Sequence, residues 1–92
     1  MTSQAVTVVN QLGMHARAAA KFVHLATRYE SRVTVARDAR EIDGKSIMGI
    51  LLLAAARGST ITISADGLDE RGAVDALVAL VQSGFGEDVC SA

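Results

Sequence analysis

Residues 32–64 read RVTVARDAREIDGKSIMGILLLAAARGSTITIS, and the fold turns on how that stretch divides. Arg32–Arg37 alternates polar and apolar residues, as does Arg40–Asp43, with Asp38-Ala39 between them. This is the pattern of a hairpin with one longer and one shorter strand. Asp43-Gly44 turns the chain and leaves Ser46 as the N-cap of a helix over residues 47–57, with Gly58 as its stop. Residues 60–64 alternate again and give a further strand. Upstream, residues 5–9 are rich in β-branched side chains and end at Asn10-Gln11, which reads as a first strand. Past the break at Gly13, residues 16–27 place Ala19, Phe22, Val23 and Ala26 on one helical stripe. Lys21, His24 and Arg28 lie off it, facing water. Downstream, Asp66-Gly67 turns the chain, Asp69 or Glu70 opens a helix, and Gly84 ends it. Its buried stripe is Val74, Leu77, Val78 and Val81.

The order is therefore β-α-β-β-α-β-α. Alternating strands leave one sheet face apolar and the other wet, and three striped helices can cover the apolar one. The expected fold class is α+β, an open-faced two-layer sandwich: a four-stranded antiparallel sheet with three helices on one face.

With 92 residues the chain has room for a single domain, residues 1–92, around one core. Its apolar stock is mostly small aliphatic, with one Tyr, two Phe and no Trp, which leaves little for stacking on bases. A net charge of -1 gives no general electrostatic reason to bind nucleic acid or an anionic membrane. The lone Cys90 cannot form an internal disulfide and reads as a tail thiol, which fits a reducing compartment. The opening MTSQAVTVVN has neither a basic n-region nor an apolar h-region. The longest apolar run, residues 47–56, is about half of the roughly 20 residues a bilayer span needs. A cytoplasmic protein without membrane insertion is expected.

The chemistry concentrates in Gly13-Met14-His15-Ala16-Arg17. No Ser, Thr, Asp or Asn stands at positions 13–17 to cap the helix that starts there. Its first backbone N–H groups therefore lack a side-chain acceptor, and an anion would satisfy them and meet the positive end of the helix dipole. Arg17 adds a charged fork that suits phosphate oxygens. The same field favours a neutral, nucleophilic imidazole at His15, able to accept a phosphoryl group and hold it. A surface histidine beside a helix start, with nothing bound, fits the local pattern as well.

Ser46 is explained as an N-cap, and it is also open to phosphorylation, because added negative charge at a helix N-terminus is tolerated by the fold. The run over residues 47–56 is apolar all round, whereas a helix on a sheet needs only a stripe. Either the helix is deeply buried, or Met48 with Ile47 and Leu51 forms an adaptable docking patch. His24 has no Cys, His or carboxylate partner at metal-ligand spacing, so no metal and no cofactor are expected. The phosphate-loop, serine-hydrolase and paired-cysteine motifs are all missing from the chain.

Taken together, GMHARAAAKFV at residues 13–23 and KSIMGI at residues 45–50 resemble the two signature segments of the HPr family, the histidine-containing phosphocarriers of the bacterial phosphotransferase system. The resemblance runs from the first strand to about Phe85. It implies that His15 is phosphorylated on Nδ1 by phosphorylated enzyme I, which draws on phosphoenolpyruvate. It implies that Arg17 and the N–H groups of Ala16 and Arg17 steady the phosphoryl group, which then passes to an enzyme IIA-type acceptor in sugar uptake or its regulation. Ser46 matches the serine that a dedicated kinase/phosphorylase modifies in some bacteria. Met14, Ala20, Ile47, Met48 and Leu51 match the partner-docking face. Such a carrier is not an enzyme; it acts stoichiometrically, and presenting one face to successive partners suits a monomer. Ala18 stands where many members carry Pro, Ala16 replaces a frequent Thr, and His24 and Thr27 replace common lysines. These departures leave the sugar and the nitrogen-related branches both open. Two competing readings are a regulatory module acting through Ser46 alone and a ligand-binding domain of ferredoxin-like order. The retained His15 argues against the first, and the lack of a ligand cluster or glycine loop argues against the second.

Overall fold

The computed structural model describes residues 1–86, so Cys90 lies outside the described residues. The elements are β1 (Thr2–Thr7), α1 (Ala16–Ala26), β2 (Arg32–Arg37), β3 (Arg40–Asp43), α2 (Ile47–Leu53), β4 (Thr60–Asp66) and α3 (Glu70–Gln82), followed by a 3₁₀ turn over Gly84–Gly86. The strands form one antiparallel sheet in the order β1-β4-β2-β3. The register pairs Val6 with Ile61, and Val35 with both Ile63 and Ile42. Alternation then sends Val6, Val33, Val35, Ile61, Ile63 and Ala65 inward. Ser3, Thr34, Thr62 and Ser64 take the open face, where the Ser3 and Ser64 hydroxyls meet at 2.8 Å.

The helices cover the inner face. α3 lies on β1 and β4, α2 lies beside β3 and β2, and α1 packs against both other helices. Phe22 of α1 is fully buried, as are Leu77 and Val81 of α3. The expected α+β open-faced sandwich is thus the observed one. Its α3 stripe is the one read from the sequence, with Ala73 added. On α1, Val23 is only partly buried and Ala18 takes a core position instead.

Several boundaries differ from the sequence reading, α1 only by ending at Ala26 and not at residue 27. β1 begins at Thr2 and ends at Thr7, because those six residues are the ones that pair with β4, from Thr2 opposite Ala65 to Thr7 opposite Thr60. Val8 still bonds sideways, donating to the Ser59 carbonyl at 2.9 Å. β4 likewise continues to Asp66. The largest change is in α2, which stops at Leu53 and not at residue 57. Ala54 adopts the left-handed conformation (φ 54°), a geometry alanine tolerates poorly. Two arginines hold it there. Arg37 Nη1 donates to the carbonyls of Leu53 and Ala54 at 3.0 and 3.1 Å, and Arg40 Nη1 donates to Leu52 at 2.9 Å. Positive charge at the negative end of a helix does the capping that glycine does elsewhere.

Two carboxylates tie the start of α3 to distant chain. Asp69 does not cap its own helix; it accepts from the Glu30 amide at 2.8 Å, the Ser31 amide at 2.9 Å and the Ser31 hydroxyl. The Ser31 hydroxyl, followed by the Glu30 amide, holds the Asp69 carboxyl below its ordinary pKa. Glu70 accepts from the Thr2 hydroxyl at 2.5 Å and pairs with the N-terminal ammonium at 3.0 Å. Chiefly through the Thr2 hydroxyl, its pKa is lowered to about 2.

Candidate phosphoryl-accepting site

The site begins in the loop between β1 and α1. Asn10 is fully buried, and its Nδ2 donates to the Gly13 carbonyl at 2.7 Å, while the Gly13 amide donates back to the Asn10 carbonyl at 3.1 Å. Gly13 has φ 65°, and a Cβ there would stand 2.6 Å from the Ala55 carbonyl oxygen and 2.9 Å from Ala56 Cα. Only glycine lets the loop sit down on the chain that leaves α2. The Met14 amide completes the seat by donating to that same Ala55 carbonyl at 2.9 Å.

His15 follows as the N-cap of α1, in extended conformation (φ -73°, ψ 177°), and its side chain makes no cap hydrogen bond. The His15 carbonyl accepts from Ala19 at 2.8 Å, which starts the helical ladder. Among the described residues the amides of Ala16, Arg17 and Ala18 have no acceptor. Three such donors at the positive end of a helix dipole are able to hold an anion. Arg17 is exposed in the first turn, with no hydrogen bond or ion pair among the described residues. Its guanidinium is available to a ligand.

Ser46 caps α2, its Oγ accepting from the Gly49 amide at 3.0 Å. The apolar run divides: Ile50, Leu53 and Ala55 are buried, whereas Ile47, Met48, Leu51 and Leu52 are exposed. Ala20 is exposed on α1, the helix against which α2 packs. Met14 is a correction to the expected docking face. It is only 5% exposed and belongs to the core, because its amide is pinned to Ala55 and its side chain turns inward. Leu12 at 70% and Leu52 at 63% are among the exposed apolar residues that the sequence reading passed over. The signal for both was present, since each is a leucine outside any stripe that the sheet needs. Asn10 was also passed over as a mere strand end.

A family model for the PTS HPr component phosphorylation site matches residues 2–83. This chain belongs to the HPr family. Among curated HPr-family proteins, the phosphocarrier HPr of Cupriavidus necator is 49% identical over 87 residues, covering 95% of this chain and 98% of its own. The phosphocarrier NPr of Shewanella violacea is 39% identical, covering 89% of this chain and 90% of its own. A crystal structure of HPr from Thermoanaerobacter tengcongensis superposes with a TM-score of 0.93 at 40% identity, covering 97% of this chain and all of the other. The HPr membership supports a phosphocarrier role in the phosphotransferase system. No helix among the described residues is long and apolar enough to cross a membrane.

Proposed function

We propose that this HPr-family protein accepts a phosphoryl group on His15 from phosphorylated enzyme I, itself charged by phosphoenolpyruvate, and passes it to an enzyme IIA-type acceptor. The observation that carries the reading is the set of three amides, Ala16 to Ala18, that have no acceptor among the described residues and follow directly on an N-cap histidine that makes no side-chain cap hydrogen bond. In the transfer, the lone pair of His15 Nδ1 forms a bond to phosphorus as the donor's bond to phosphorus breaks, and that electron pair stays with the donor. The Nε2 hydrogen remains on the ring. The phosphoryl oxygens meet the helix amides and the Arg17 guanidinium, so the chain contributes positioning and charge stabilisation. The reverse geometry serves onward transfer, and the protein turns over only through its partners, as a carrier and not an enzyme.

Partner contact falls to the exposed apolar residues Ile47, Met48, Leu51 and Ala20, extended here by Leu12 and Leu52. The carrier works as a cytoplasmic monomer of one domain, in sugar uptake or its regulation. Ser46 is the target of a serine kinase/phosphorylase, and a phosphate there would lie at the N-terminus of α2 beside the docking residues. To test the reading, the protein is incubated with enzyme I, magnesium and labelled phosphoenolpyruvate, beside His15→Ala. Acid-labile label on the wild type alone supports it; label that persists on His15→Ala, or none on either in the presence of active enzyme I, refutes it.

A further inference from the structure

We infer that Asn10 is a positioning residue for His15, an inference that rests on the reading of His15 as phosphoryl acceptor. Asn10 is fully buried, although its loop neighbours Gln11 and Leu12 are exposed. A buried amide without partners costs about 1–3 kcal/mol, so an asparagine in this place is explained by what it bonds. Its Nδ2 donates to the Gly13 carbonyl at 2.7 Å. The His15 amide donates to the same oxygen at 2.9 Å. Two donors, one from the Asn10 side chain and one from the backbone of His15, therefore converge on one carbonyl.

That convergence fixes the plane of the peptide joining Gly13 to Met14, and with it the direction in which the chain enters His15. The Gly13 amide, donating to the Asn10 carbonyl at 3.1 Å, closes the loop from the other side. The turn after α3 runs nearby, where a Cβ on Gly84 would make ordinary contact with Asn10 Cβ at 3.6 Å. The asparagine holds the Gly13 carbonyl, and that carbonyl in turn holds the His15 amide at the start of α1. Truncating Asn10 removes one of the two donors. The peptide can then rotate, and the imidazole is held less well against its anion site. Misplacement on the scale of 1 Å costs up to about a hundredfold in rate.

The test compares wild type, Asn10→Ala and Asn10→Ser, with labelled phosphoenolpyruvate and enzyme I supplying the phosphoryl group. We expect Asn10→Ala to lower the turnover of His15 phosphorylation about tenfold. The apparent KM for enzyme I stays within about twofold of wild type, because the docking residues are untouched. Asn10→Ser, which keeps a shorter donor, recovers part of the loss. In the unphosphorylated protein the His15 amide resonance moves in Asn10→Ala, as its acceptor loses the competing donor. A merely space-filling asparagine would give wild-type turnover in the folded variants, or a loss that the serine does not recover, and either overturns the inference. Failure of both variants to fold also overturns it, by making Asn10 purely structural. If wild type takes no label, the reading of His15 falls on its own account. The His15 amide shift then decides the geometric relation: displaced in Asn10→Ala it stands, unmoved it fails.

Discussion

Gly13 lies so close to Ala55 that a single methyl group on it would come within 2.6 Å of the Ala55 carbonyl oxygen. That carbonyl also holds the Met14 amide at 2.9 Å, so one oxygen seats the loop that delivers His15. The loop is thereby tied to the exit of α2 and not only to its own helix.

Gly13→Ala therefore combines a methyl clash with a φ of 65° that alanine adopts at a cost. We expect a loss of about 1–3 kcal/mol in urea or thermal unfolding. Phosphorylation by enzyme I should fall well beyond what the lost folded fraction explains. Wild-type stability in this variant would mean that the loop does not depend on its seat.

The left-handed end of α2 depends on Arg37 and Arg40. Arg37→Ala leaves the Leu53 and Ala54 carbonyls without their charged donor. The expected cost is about 1–2 kcal/mol by denaturant unfolding, since the bonds are charge-assisted but partly exposed. Replacing Arg40 as well adds less than the first, because Leu52 keeps access to water.

Stability should fall in acid through the two carboxylates at the start of α3. Both have folded-state pKa values below their unfolded ones: Asp69 is lowered, and Glu70 is lowered from 4.5 to about 2. Their contribution is complete above the unfolded values and is lost as pH falls from about 4.5 toward 2. Unfolding midpoints measured across that window should drop for wild type. The drop should be shallower for Glu70→Gln, which has no carboxyl to protonate, and an identical profile would exclude Glu70 as a contributor.

Docking separates from chemistry in Met48→Asp. Met48 is 67% exposed and has no place in the core, so folding should change by less than about 0.5 kcal/mol. A charge in the patch should raise the apparent KM for enzyme I about tenfold with turnover little altered. An unchanged KM would move the docking face away from α2.

How far the fold could be read in advance depended on whether local pattern or tertiary contact set each feature. The hairpin Arg32–Arg37 and Arg40–Asp43 was legible residue for residue, because period-two alternation and a turn settle it locally. The α3 stripe was legible for the same reason at helical period. The early end of α2 was not. Residues 54–57 are alanines and an arginine, good helix formers, and the signals that stop the helix are guanidinium groups from β2 and β3. Met14 misled in the opposite direction, because only the Ala55 contact shows which way it turns. His15 as an uncapped N-cap was visible in what positions 13–17 lack, whereas the role of Asn10 exists only once the loop has closed around the Gly13 carbonyl.

A phosphoryl group on His15 should rest on the amides at the start of α1, which have no acceptor among the described residues. Backbone amide resonances recorded before and after phosphorylation by enzyme I test it most directly. The Ala16, Arg17 and Ala18 resonances should move farthest on phosphorylation of His15, and His15→Ala should show no change. A phosphoryl group on another residue, or phosphorylation of His15 that leaves those three amides in place, would contradict it.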